Sequence, residues 1–184
     1  MDGNNSPLNS LLRATPALLS AAAVTMTLCE DVFFRPFGKP QAALRPQANR
    51  LLSAHVVAFA SRGMCMTAIF YFGGIGAGAA NLRWQGGGDG GLVLSSPSSP
   101  SQDNGLAPMF YLAGTVFNAM HFAFAPRDVA LMDVITDESN VDAGKGKDNC
   151  TAMTNWVRMN VTRGLVADLP ALICNLFGLV LSLS

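Results

Sequence analysis

WVRMNVTRGLVADLPALICNLFGLVLSL, residues 156–183, opens with a tryptophan, an asparagine and two arginines, and after Arg163 carries a single charge, Asp168. A run of about 20 mainly apolar residues is long enough to cross a bilayer as a helix. Lipid offers no partner to an unpaired backbone N–H or C=O, so such a run has to be helical. Taken this way, the stretch is the last span of a polytopic membrane protein, and the rest of the chain is to be searched for its companions.

Three further segments qualify. They are residues 11–34, 51–82 and 106–126, the last reading LAPMFYLAGTVFNAMHFAFAP. The expected fold is an all-α, polytopic membrane four-helix bundle forming a single domain over residues 1–184. Composition agrees, because half of the 184 residues are hydrophobic and only 13% are charged, against roughly 25% in an ordinary soluble domain. The formal net charge is zero and no Lys/Arg block occurs, so nucleic acid has no electrostatic purchase and is excluded as a partner. Cys29, Cys65, Cys150 and Cys174 show no C-x-x-C spacing and mostly lie in apolar runs, so they read as small hydrophobes, not as a metal or disulfide framework. The N-terminal apolar run ends in EDVFFRPF, not at a small-residue cleavage site, so it reads as a retained span.

The spans are joined by three hydrophilic connections. Residues 35–50 contain Pro36, Pro40 and Pro46, which preclude one continuous helix. Residues 86–105 are Gly/Ser/Pro-rich and of low complexity, so a disordered loop is expected there. Residues 133–150 are polar and turn-rich. Lys and Arg concentrate in the first and third of these connections, which places residues 35–50 and 127–155 in the cytosol of an integral, multi-pass endomembrane protein, in the endoplasmic reticulum or a vesicle. Asn4 then faces the lumen as a glycosylation candidate, whereas the sequons at Asn149 and Asn160 lie out of reach.

This orientation gathers the ionisable residues near the spans at one mouth. Interfacial anchoring accounts for Arg35, Arg50 and Arg158. It accounts less well for Trp156, Asn160 and Arg163, whose i, i+4, i+7 spacing puts them on one helix face over two turns. In the third span Asn118 and His121 are spaced i, i+3, with Asp128 seven residues beyond His121 and in line if the helix continues past Pro126. A histidine in a span is often only an interhelical hydrogen-bonding group, yet it is also the side chain most readily tuned as a base near neutral pH. Deeper in, Arg62 and Asp168 are costly charges unless paired, and a mutual ion pair is expected. Gly74-x-x-x-Gly78 suits close helix contact.

The W-x-x-x-N-x-x-R pattern at Trp156, Asn160 and Arg163, with "PRDVAL" carrying Pro126, Asp128 and Leu131, resembles the anthrone oxygenase-like family of small four-span membrane proteins of fungal polyketide biosynthesis. The likeness covers about the C-terminal half; Asp128 stands where the family has Asn, and the loop at 86–105 has no counterpart. What the resemblance implies is a cofactor-independent monooxygenase that uses neither metal nor flavin and acts on an apolar, aromatic, polyketide-like small molecule. In that chemistry His121 or Asp128 removes an acidic proton, Arg163 and Asn160 stabilise the oxyanion, and Trp156 stacks on the substrate, with Asn118 as a further substrate-binding residue. Two other functions compete: a non-catalytic tetraspan protein that organises soluble pathway enzymes at its cytosolic face, and a small metabolite carrier. The carrier lacks the repeat pair and broken midplane helices of a transport site.

Overall fold

The computed structural model describes residues 7–85, 106–137 and 148–184, and all regular structure among them is helical. The expected loop at 86–105, the middle of the polar connection (138–147) and Asn4 lie outside the described residues. Helix α1 spans Pro7–Gly38, α2 Arg45–Gln85, α3 Leu106–Met120, α4 Ala125–Thr136, α5 Asn149–Arg163 and α6 Leu169–Leu183. Three helical runs are long and apolar enough to cross a membrane: Pro7–Gly38, Ala42–Arg83 and Asn149–Leu183.

The connections differ from expectation for local reasons. Pro46 falls in the first turn of α2, where a missing N–H costs little, and α1 runs only two residues past Pro36, so six residues, 39–44, separate the helices. Within them Ala42–Leu44 form a 3-10 turn. The third span is not one helix. Pro126 lacks a donor for the carbonyl four residues back, and its ring crowds that carbonyl. The chain tightens into a 3-10 turn over His121–Phe124, and α4 starts afresh with the proline in its first turn. At 1.5 Å per residue, 15-residue α3 is about 22 Å long, short of the ~30 Å hydrocarbon core. The face that would align Asn118, His121 and Asp128 if the helix continued past Pro126 is therefore interrupted. In the last run Pro170 has the same effect with a wider solution, a π-helical turn over Gly164–Asp168 between α5 and α6.

The chain divides into two compact units. One comprises the described residues within Met1–Val24, Ala68–Met120 and Val166–Ser184; the other comprises those within Thr25–Thr67 and His121–Leu165. In the first, α3 packs along α6. Buried Tyr111, Gly114 and Asn118 on α3 repeat at helical spacing, as do Ala171, Asn175 and Gly178 on α6. Small residues let the backbones approach: a Cβ on Gly78 would sit 2.2 Å from Thr115 Oγ1, and one on Gly74 would sit 3.0 Å from Asn118 Nδ2. Polar side chains tie the unit together. Asn175 Nδ2 donates to Ser20 Oγ at 2.9 Å, Asn81 Nδ2 to the Leu12 carbonyl at 2.8 Å, and the Tyr111 hydroxyl to the Arg13 carbonyl at 3.0 Å. Asp168 is buried and accepts from the Tyr71 hydroxyl at 2.9 Å within its own unit; Arg62, its expected partner, is exposed and belongs to the other unit.

In the second unit α4 packs on α5 around Phe34, Leu52, Val56, Ile135, Met153 and Trp156. The start of α5 is held from outside: Asn49 Oδ1 accepts the Cys150 N–H at 3.1 Å, and Asp148 caps the helix by accepting from Thr151 N–H at 2.6 Å. Burial pushes the Asp148 carboxyl up, but the hydrogen bonds from Thr151 and Arg45 outweigh it and hold the group below its usual range. Thr154 Oγ1 donates to the Gly38 carbonyl at 2.7 Å, a contact that leaves no room for a side chain at Gly38. Asn149 and Asn160 are both buried, so their sequons offer no space for a glycan.

The units share an inverted polarity. Leu8, Leu18, Val32, Phe33, Met64, Phe72, Val116, Phe177 and Val180 are exposed, while Asn9, Ser20, Glu30, Asn81, Asn118, Asn160, Asp168 and Asn175 are buried. All four cysteines are free thiols.

Candidate functional site

A stripe on α1 at alternating spacings of three and four, Ala23, Thr27, Glu30 and Phe34, is buried. Its lower part, from Thr27 to Phe34, meets in the second unit the face of α5 that carries Trp156, Asn160 and Arg163. Asn160 Nδ2 donates to Glu30 Oε2 at 2.7 Å. Arg163 Nη2 donates to Thr27 Oγ1 at 3.2 Å and lies 3.6 Å from the same Glu30 oxygen. Glu30 and Arg163 are each 7% exposed and Asn160 1%. A buried ion pair of this kind contributes little net stability unless its remaining groups are also hydrogen-bonded, as Asn160 and Thr27 arrange here. Gly164 permits the approach, since a Cβ there would sit 2.9 Å from Thr27 Cγ2. One acceptor remains open: Asn160 Oδ1 has no hydrogen-bond partner among the described residues. A buried, unpaired amide oxygen costs about 1–3 kcal/mol, a cost a bound hydroxyl would remove.

Trp156 closes the next turn. It is 2% exposed, packs edge-on to Phe34 with ring centroids 5.5 Å apart, and donates its indole N–H to Asp128 Oδ1 on α4. The indole is thus buried in the core of the second unit, and the Asp128 carboxylate accepts from it. Trp156→Phe keeps an aromatic side chain but removes the pyrrole half and leaves Asp128 without this donor, and is expected to destabilise the protein by about 1–3 kcal/mol. Thermal unfolding of the purified variant in detergent measures this; an unchanged midpoint would show that the bond contributes nothing.

His121 is buried in the 3-10 turn, edge-on to Phe122, and that turn packs against α5. Asn118 belongs to the other unit, where it lies against Gly74; its Nδ2 has no hydrogen-bond partner among the described residues. The structure thus brings Trp156, Asn160 and Arg163 together with Asp128 and the His121 turn in one unit, and adds Thr27 and Glu30, which the sequence reading had not assigned to the site. Their three-and-four spacing on α1 is the signal that could have identified them. Among the described residues no group of three or more His, Cys, Asp or Glu side chains clusters as metal ligands would.

No protein-family model matches this chain, and no solved structure matches it. It is similar to the probable epoxidase scpX of Mollisia scopiformis, with 30% identity over 165 residues covering 89% of this chain and 91% of that protein. It is also similar to the epoxidase pydX of Acremonium sp., with 28% identity over 165 residues covering 89% of each.

Proposed function

We propose, for a chain that belongs to the family of the probable fungal epoxidase scpX, that it is a membrane-embedded oxygenase of fungal secondary metabolism acting on an apolar, electron-rich aromatic or polyketide-like substrate. The observation that carries this reading is the buried set of Glu30, Asn160 and Arg163 in a protein whose outer surface is apolar. Exposed apolar helices with polar interiors suit lipid as solvent, and the first and third connections are assigned to the cytosolic side.

The reaction needs a substrate that supplies its own electrons to dioxygen. For a hydroquinone, a base takes a phenolic proton, and the phenolate gives an electron pair to dioxygen through the neighbouring carbon. A C–O bond forms and the distal oxygen takes up a proton to give a hydroperoxide. The enolate carbon next to it then attacks the proximal oxygen, the O–O bond breaks, and hydroxide leaves as water once protonated. Hydroquinone and dioxygen give quinone epoxide and water. An anthrone follows the same first steps and instead loses its remaining C–H to become a ketone, so the anthrone oxygenase-type reaction differs only in the closing step.

His121 is assigned as the base. Arg163 and the Asn160 amide bind the phenolate oxygen or its precursor hydroxyl, with Asn160 Oδ1 accepting from the hydroxyl before ionisation. Glu30 positions both, and Trp156 with Asp128 fixes the adjoining turn. The test is product analysis in the producing fungus. Deletion is expected to accumulate a reduced aromatic precursor, and the wild-type chain to restore a product bearing one oxygen from labelled dioxygen. Arg163→Ala and His121→Ala chains that insert normally are expected to lose about 10²–10³-fold in turnover. Complementation by both variants at the wild-type level would leave the organiser function in place of the enzyme.

A further inference from the structure

On the opposite face of α5 from Trp156, Asn160 and Arg163 lies a cavity of about 680 Å³ lined by Arg35, Gly38, Lys39, Thr154, Val157, Arg158, Val161 and Thr162. It sits within the second unit, between the C-terminal end of α1 and mainly the second half of α5. Three cations line it, yet they are not equivalent. The Arg35 guanidinium is held by both oxygens of Asp31, at 2.7 Å each, and is neutralised there. Lys39 and Arg158 are exposed and have no ion-pair partner among the described residues. Nearby are the Thr162 hydroxyl, which donates to the Arg158 carbonyl and keeps its lone pairs for a further donor, and an apolar wall made by Val157 and Val161.

Interfacial anchoring explains a single arginine or lysine at a helix end. It does not explain two cations, without an ion-pair partner among the described residues, lining one concave site that has an apolar floor. We propose that this cavity binds the head of an anionic amphiphile, with its phosphate or carboxylate oxygens held by Lys39 and Arg158 and its apolar part lying along Val157 and Val161. Arg158 supplies a planar fork suited to two oxygens of one head, and Lys39 a mobile point charge. The site faces away from the buried Glu30–Arg163 pair and is independent of the oxygenase assignment.

The full chain, purified in neutral detergent, is to be offered mixed micelles of phosphatidylcholine with phosphatidylglycerol, and the retained lipid weighed by native mass spectrometry. Phosphatidylglycerol is expected to be retained preferentially, and the preference to fall about tenfold in Lys39→Gln/Arg158→Gln. The charge-matched control Arg83→Gln/Arg127→Gln, at exposed positions outside the cavity, is expected to keep it. Thermal unfolding confirms that both double variants are folded. Adding 2-naphthoate separates the two sources of such a head: displacement of phosphatidylglycerol identifies a site for soluble aromatic carboxylates, and no displacement a lipid phosphate site. Equal retention of the two lipids by the wild-type chain, or an equal loss in the cavity variant and the control, would overturn the proposal.

Discussion

Glu30→Leu is expected to destabilise the protein by about 3–5 kcal/mol, among the largest effects of any single substitution in the chain. The reason is the environment of its partner. Arg163 is 7% exposed, and the Glu30 carboxylate 3.6 Å away carries a compensating charge. Removing it leaves a buried guanidinium facing an apolar side chain and also takes away the acceptor of the Asn160 amide. Glu30→Gln keeps that acceptor and loses only the charge, so its cost should be smaller. Glu30→Leu/Arg163→Leu removes both charges and is expected to recover much of the loss, because two apolar groups of similar length no longer require solvation. Unfolding in detergent of the two single variants and the double closes the cycle. Additive losses would mean that the two residues do not act as a pair.

Gly114→Ala is expected to cost about 2–4 kcal/mol, although alanine is the better helix former. A Cβ at this position would sit 2.3 Å from Oδ1, 2.7 Å from Cγ and 2.9 Å from Nδ2 of Asn175. The asparagine is fully buried, so it must either push α3 away from α6 or give up its hydrogen bond to Ser20. Gly76 is the control. A Cβ there meets nothing within 4 Å, and Gly76→Ala should be neutral or stabilising by up to about 1 kcal/mol through helix propensity alone. Comparable losses at both glycines would show that α3 and α6 are not in close contact. Asn175→Ala placed on Gly114→Ala should relieve the crowding and leave only the cost of the lost hydrogen bond.

The helical class was legible because hydropathy over some 20 residues is a local property, and 106–126 shows its limit. Its composition passes as a span, yet Pro126 divides it into α3 and α4, since hydropathy takes no account of a missing N–H. The same blindness hid the π-helical turn ahead of Pro170. The Arg62–Asp168 expectation rested on depth alone. Equal depth along two helices says nothing of the direction in which a side chain points, and Asp168 meets Tyr71.

The site divides along similar lines. That Trp156, Asn160 and Arg163 share one face follows from 3.6 residues per turn and required only the sequence. The same arithmetic applied to α1 groups Thr27, Glu30 and Phe34. What those faces meet was a matter of tertiary structure: Asn160 and Arg163 meet Glu30 and Thr27, and Trp156 meets Phe34 and Asp128. Period and hydropathy are properties of neighbours along the chain, so the sequence carries them openly. Pairing between residues 130 or more positions apart, such as Glu30 with Asn160, depends on which side chains the packing of α1 against α5 brings together, and only the folded chain decides it.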